Sequence, residues 1–190
     1  MPIAGDVEIR LARAADAPAI AKLHADSWRR HYRGAYSNYY LDGDLDGERL
    51  AVWTERLNSH DGEHFTLLAE HQHRPVGFVH VALDADSTSG ALVDNLHVAQ
   101  PLQRTGIGTV LLDRAARIVI ERRPGSGIYL WVLEQNEPAQ AFYLSRGGRL
   151  CDRGPVGPPG GNPRNLSGAP RKIRITWPNP ASLMLSPTGR

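Results

Sequence analysis

A strand that runs almost directly into a helix, with a short glycine-bearing turn between them, constrains this chain more than any other feature. Ala91–Val98 is rich in apolar and β-branched residues, and Pro101 closes it because proline donates nothing to a sheet ladder. From Ile107 onward, Leu111, Ala115 and Ile118 recur at helical spacing, and Val110 and Val119 widen the apolar stripe. Arg114, Arg117, Glu121 and Arg122 point elsewhere, and Pro124-Gly125 stops the helix. Between strand and helix lies Gln103-Arg104-Thr105-Gly106-Ile107-Gly108. The first N–H groups of a helix have no partner inside it and carry partial positive charge, so such a turn attracts phosphate. Gly106 and Gly108 let a ligand approach the backbone closely. Neither common nucleotide loop fits: the dinucleotide fingerprint needs a third glycine where Leu111 stands, and Gly-Lys-Ser/Thr occurs nowhere.

Downstream, Ile128–Leu133 is an unbroken apolar run that reads as a strand covered on both faces. Asn136 then caps a helix with Glu137-Pro138 in its first turn. Ala139, Phe142, Tyr143 and Arg146 follow at helical spacing, and Gly147-Gly148 supplies a left-handed stop. A loop of the type Gln/Arg-x-x-Gly-x-Gly/Ala, followed by strand, Asn, and a helix carrying Phe-Tyr before glycine, resembles the GNAT superfamily of acyl-CoA N-acyltransferases. The resemblance covers residues 91–150 by these two signatures.

The remaining pattern is compatible with that fold. Val7, Ile9 and Leu11 alternate as a first strand, and Asp16 caps a helix whose one side carries Ile20, Leu23, Ser27 and Trp28. A second helix is expected over 46–57 with Leu50, Trp53 and Leu57 as its core face. Phe65, Leu67 and Ala69 pair with Val76–Val81 across the polar turn 71–75. His71 and His73 belong to that turn and not to a metal site, since nothing nearby has ligand spacing. Ile173, Ile175 and Trp177 form a last strand. The order resembles the GNAT fold throughout, an α/β (α+β) class with a mixed central sheet of about six to seven strands and about four helices. A single domain is expected over 1–177. Residues 152–170 hold five glycines and five prolines and read as a long loop, functional or mobile, which the resemblance puts on the acceptor side. The tail 178–190 lacks periodicity and is expected to fray.

Composition mainly excludes. The net charge of +2 gives no general field for nucleic acid. One cysteine, Cys151, allows no internal disulfide and suits a reducing cytoplasm. No segment is long and apolar enough for a bilayer, and Met1–Asp6 has no signal-peptide core, so a soluble cytoplasmic protein is expected. Whether it forms a homodimer is open. The basic pairs Arg29-Arg30 and Arg171-Lys172 suit the phosphates of CoA, an acidic acceptor, or plain solvation.

The resemblance implies a chemistry and its residues. Acetyl-CoA would be the donor, with no metal, and the acceptor a primary amine of a small molecule or peptide. Gln103, Arg104, Thr105, Gly106, Ile107, Gly108 and Thr109 would surround the pyrophosphate, Arg104 being the only formal charge among them. The segment Leu96-His97-Val98 would line the pantetheine arm, with the backbone of Leu96 and Val98 pairing to it as an added strand. His97 alternates away from both and packs or meets solvent. Asn136 would hold the far end of the arm. A lysine-like amine with pKa near 10.4 sits about 3.4 units above neutrality, so deprotonating it costs roughly 4.6 kcal/mol and calls for a base. Asp94 is the first candidate and Glu134 the second, the competing reading being that Asp94 caps or orients a neighbouring loop. Tyr143 matches the general acid of the family; its rival role is as a core aromatic beside Phe142. Trp28, Tyr32 and Tyr36 fall where the acceptor wall is expected, or are simply core. No Ser/His/Asp order and no activated cysteine is visible, so direct transfer is preferred over an acyl-enzyme. A non-catalytic acyl-CoA sensor or scaffold of the same fold is the alternative.

Overall fold

The computed structural model describes residues 6–59 and 61–185. Its strands are β1 (Val7–Leu11), β2 (His64–His71), β3 (Arg74–Asp86), β4 (Gly90–Val98), β5 (Ile128–Leu133), β6 (Arg149–Pro155) and β7 (Arg171–Trp177). They form one sheet in the order β1-β2-β3-β4-β5-β7-β6. Every neighbouring pair is antiparallel except β4 and β5. The helices are α1 (Ala17–His31), α2 (Asn38–Leu41), α3 (Leu45–Asn58), α4 (Ile107–Arg122) and α5 (Glu137–Ser145).

Strand alternation sorts the core into two layers. Phe65, Leu67, Val79, Val81, Ala91 and Val93 face α4 and pack on Ile107, Leu111, Leu112, Ala115 and Val119. From the opposite face, Leu68 and Phe78 meet Ala17, Ile20 and Ala21 of α1 and Trp53 of α3. The turn between β2 and β3 is tight because Gln72 and His73 both take positive φ, 51° and 60°, the twist that a two-residue hairpin favours. At Gly77 the backbones crowd: a Cβ there would lie 2.9 Å from the His97 carbonyl oxygen.

Two irregularities create the site. His80 pairs with Asn95 and Val81 with Val93, so Asp94 is an extra residue that bulges out of β4. The bulge shifts the alternation by one, and Leu96 and Val98 join the α4 side while Asn95 and His97 turn towards α1. Second, β4 and β5 pair only at Ala91–Ile128 and Leu92–Tyr129, then separate. Beyond that point β5 continues with β7 alone, through Leu133–Lys172.

Several expectations need correction. Residues 149–155 form a strand, and the Gly/Pro-rich loop begins only at Val156; Gly154 and Pro155 are tolerated because β6 is an edge. That loop is tied down, since Ser37 N–H donates to Asn165 O at 2.8 Å and Ser167 N–H to Ala35 O at 2.9 Å. The tail is not frayed over 178–185: Leu183 is only 1% exposed, and Leu185 N–H donates to the buried Asp113 carboxylate at 2.7 Å. Residues 186–190 lie outside the described part. Among the described residues the helices number five, in keeping with the expected four or so; the short α2 is capped by Ser37, which accepts from Tyr40 N–H. Leu50 is exposed, and α3 is anchored instead by the buried Leu45 and Trp53. No helix among the described residues is long and apolar enough to cross a membrane.

Candidate active site

The turn from β4 into α4 is built from left-handed residues. Gly106 has φ 95° and Arg104 φ 65°, the latter uncommon for a residue with a side chain. Thr105 Oγ1 donates to Leu102 O at 2.6 Å and fixes the bend, while Ile107 is buried under the sheet. The first α4 amide to find a main-chain partner is that of Val110, which donates to Gly106 O at 3.1 Å. The N–H groups of Gly106, Ile107, Gly108 and Thr109 donate to no acceptor among the described residues. They form the positive end of the helix dipole at the mouth of the gap between β4 and β5.

That gap is a cleft of about 640 Å³. One wall is β4 from Val93 to Val98, the other is β5 from Leu130 to Leu133 with Asn136, Phe142 and Tyr143, and the bare turn closes one end. Ala99 N–H donates to Val76 O on β3, so strand alternation turns the main-chain groups of Val98 and Leu96 to the open edge. Val98 O accepts from Gln103 Nε2 at 3.2 Å. Asn136 divides its amide: Oδ1 caps α5 by accepting from Ala139 N–H at 3.3 Å, and Nδ2 has no acceptor among the described residues.

Most of the expected site residues converge on this cleft. Asp94, Leu96, His97, Val98, Gln103, Arg104, Gly106, Gly108, Thr109, Asn136, Tyr143 and Tyr32 all line it. Thr105 and Ile107 are not on the lining. Trp28 and Tyr36 are not on the lining; they stand behind Tyr32 in a packed aromatic group, with ring centroids 5.2 Å (Trp28–Tyr32) and 4.7 Å (Tyr32–Tyr36) apart. The Arg49 guanidinium lies 4.4 Å from the Trp28 ring centroid on top of that group. Glu134 falls outside the cleft lining, with its carboxylate 2.8 Å from Arg153 Nη1.

Environment sets the protonation of these groups. Burial pushes the Tyr143 phenol above the usual tyrosine range, and its hydroxyl donates to no acceptor among the described residues. The Tyr32 phenol is raised too, first by burial and then by Tyr36, Tyr143 and Asp94 nearby. Both therefore stay protonated at neutral pH. His97 packs, as one of its two readings had it: its ring lies 4.9 Å from His24 and 5.2 Å from Phe78, and Nδ1 is 2.7 Å from Ser27 Oγ. Burial lowers its pKa to about 4, so the imidazole is neutral. Asp94 accepts from Arg56 Nη1 at 2.8 Å and also borders a second pocket of about 440 Å³ beneath α3, near His64 and His80.

Sequence reasoning missed Arg56, whose place opposite Asp94 depends on α3 crossing the sheet, and the exposure of Trp131. The apolar run of β5 suggested cover on both faces. Trp131 instead borders the cleft, with Lys172 Nζ 4.5 Å from its ring centroid.

Residues 20–147 match the Acetyltransferase (GNAT) family. The chain belongs to that family. It is 30% identical over 141 residues to the probable N-acetyltransferase Rv2775 of Mycobacterium tuberculosis, covering 73% of this chain and 77% of that one. The uncharacterized N-acetyltransferase YuaI of Bacillus subtilis is 29% identical, with 72% of this chain and 77% of YuaI covered. Among solved structures, the PaiA N-acetyltransferase of Thermoplasma acidophilum, in complex with coenzyme A, superposes with a TM-score of 0.70. That alignment covers 90% of this chain and 99% of PaiA at 19% identity. The GNAT fold expected from two short signatures thus extends over the mixed seven-stranded sheet, including the split between β4 and β5.

Proposed function

We propose that this GNAT protein transfers the acetyl group of acetyl-CoA directly to a primary amine of a small molecule or peptide, without a covalent enzyme intermediate. The observation that carries the reading is the row of four bare amides, Gly106 to Thr109, at the end of a cleft whose walls hold Asp94 and Tyr143. The four amides suit a diphosphate, and the open edge of β4 at Leu96 and Val98 suits the amide groups of a pantetheine arm. Asn136 Nδ2 is left to steady that arm. Acetyl-CoA supplies the acyl carbon and a thiolate leaving group. Asp94 takes the proton of the incoming ammonium, and Arg56 positions that carboxylate. A main-chain N–H of the open β4 edge polarises the thioester carbonyl. As the C–N bond forms and the C–S bond breaks, the Tyr143 phenol gives its proton to the departing sulfur, and the second proton leaving the acylated nitrogen restores the phenol, so that the amide and the CoA thiol are released.

Glu134, committed to Arg153, is a weaker candidate for the base. The rival reading, a sensor that holds acyl-CoA without turnover, gives no use to a buried phenol whose hydroxyl has no partner among the described residues. Neither proton transfer calls on a metal, so turnover should survive a chelator. The exposed thiol of Cys151 suits a cytoplasmic setting. The test is a screen of amines, peptides and aminoglycosides for thiol release from acetyl-CoA. Thiol release matched by loss of free amine supports the transfer. Tight acetyl-CoA binding with no release on any acceptor would establish the sensor instead.

A further inference from the structure

The face of the sheet opposite α4 continues past the split onto β5 and β7. Cross-strand partners there are Trp131 with Arg174 and Leu133 with Lys172, so these four side chains share one side. Leu133 packs on Tyr36 and Tyr40, Trp131 lines the cleft, and the charge of Asp94 reaches both Tyr36 and Lys172. An amine that hands its proton to Asp94 arrives over this face.

The arginines around it are already committed. Arg153 donates to Glu134 at 2.8 Å, Arg171 lies 3.9 Å from the same carboxylate, and Arg174 donates to Asp86 at 3.0 Å. Lys172 has no carboxylate within ion-pair distance among the described residues. Its ammonium rests over the Trp131 ring and is partly withdrawn from water. Burial pushes its pKa down while the more distant Asp94 pulls it up, so the charge is underpaid in solvation and gains from any anion brought to it. Gly154, the β6 partner of Lys172, keeps the place accessible: a Cβ there would lie 3.9 Å from Trp131 Cη2, and a longer side chain would cover the indole.

We infer that Lys172 is the seat for a carboxylate on the acceptor, so that the preferred acceptors of this protein are amines that also carry a carboxylate, amino acids before simple amines. The inference rests on the proposed acetylation of amines. It assigns the two ends of the acceptor to the two opposite charges on the face, ammonium to Asp94 and carboxylate to Lys172.

The experiment compares ω-amino acids, from glycine to 6-aminohexanoate, each with its own carboxamide. At one or more chain lengths the acid should exceed the amide in kcat/KM by at least about tenfold, the effect of one charge-assisted contact. Lys172→Met should bring that ratio close to one, and Lys172→Arg should retain most of it. An acid-to-amide ratio at or below one at every length, or a preference that survives Lys172→Met, overturns the inference. So does a matching loss of acetyl-CoA affinity in Lys172→Met, which would make the lysine a cofactor contact. Calorimetry of the same pairs with the CoA-loaded protein separates binding from turnover. Acids that bind through Lys172 but are not acetylated would uphold the carboxylate seat and refute the transferase reading. Amides acetylated as readily as acids would do the reverse.

Discussion

Replacing Tyr143 by phenylalanine removes one oxygen and leaves the rest of the ring where it is. Since that hydroxyl donates to no acceptor among the described residues, the fold loses no hydrogen bond. The ring keeps its neighbours, Phe142 at 5.3 Å and Trp177 at 6.1 Å between centroids. Stability should therefore stay within about 0.5 kcal/mol, a melting shift of roughly 1–2 °C for a chain of this size. Catalysis should suffer far more. A positioned general acid contributes about 10²–10⁴-fold, equivalent to roughly 2.7–5.5 kcal/mol of barrier. The expected result is a fall of at least about a hundredfold in kcat, with affinity for acetyl-CoA little changed. The sign of the pH effect follows from burial: a phenol raised above its ordinary value stays protonated through the neutral and mildly alkaline range. Tyr143 should therefore impose no loss of kcat there, and Tyr143→Phe should lower the whole profile without moving its acidic limb. Thiol release followed with a chromogenic disulfide reagent, beside thermal melts of both proteins, reads all of this. An unaltered kcat would refute the proton-donor role, and a large drop in melting temperature would show that the hydroxyl serves the fold.

Three other perturbations follow from the same geometry. A Cβ on Gly108 would meet Phe142 Cζ at 3.4 Å and Val98 Cγ2 at 3.9 Å, ordinary contacts; Gly108→Ala should keep thermal stabilisation by acetyl-CoA, and Gly108→Glu should abolish it by placing bulk and negative charge at the bare amides. Gly148→Ala should destabilise by about 1–3 kcal/mol through overpacking, because its Cβ would fall 2.5 Å from Ile175 Cγ2 and 2.9 Å from Tyr143 O; denaturant unfolding checks it, and a wild-type midpoint would show that the neighbours yield freely. Hydrogen bonds from Arg10 hold the carboxyls of Asp16 and Glu70 below their ordinary 3.8 and 4.5, so this stabilisation is complete above those values and lost as pH falls through the lowered ones. Arg10→Met should flatten the acid side of the stability profile, and an unchanged acid slope would contradict it.

What the sequence made legible was whatever local pattern decides. Ile128–Leu133 and Ile107–Arg122 carry their own start and stop signals, and both have the expected bounds. The turn into α4 could be read for the same reason, since its glycines and the following helix are contiguous. Features set by distant partners were not legible. β6 looks like loop because of Gly154 and Pro155, and becomes a strand only because β7 offers it an edge. The stretch after Trp177 has no periodicity, yet it docks because the buried Asp113 accepts its Leu185 amide and Leu183 fills a gap on α4. Nothing local marks Asp94 as a bulge, since the extra residue exists only relative to the register of β3. The aromatic cluster at Trp28, Tyr32 and Tyr36 was readable as a group, but only packing shows that Tyr32 alone of the three reaches the cleft.

The proposed seat of the diphosphate at the head of α4 can be watched amide by amide. In a ¹⁵N-labelled protein titrated with CoA, the resonances of Gly106, Ile107, Gly108 and Thr109 should shift together and saturate, and pantetheine, which lacks the diphosphate, should leave them close to their starting positions. Saturable CoA binding that leaves these four amides unmoved, or equal shifts with pantetheine, would contradict it.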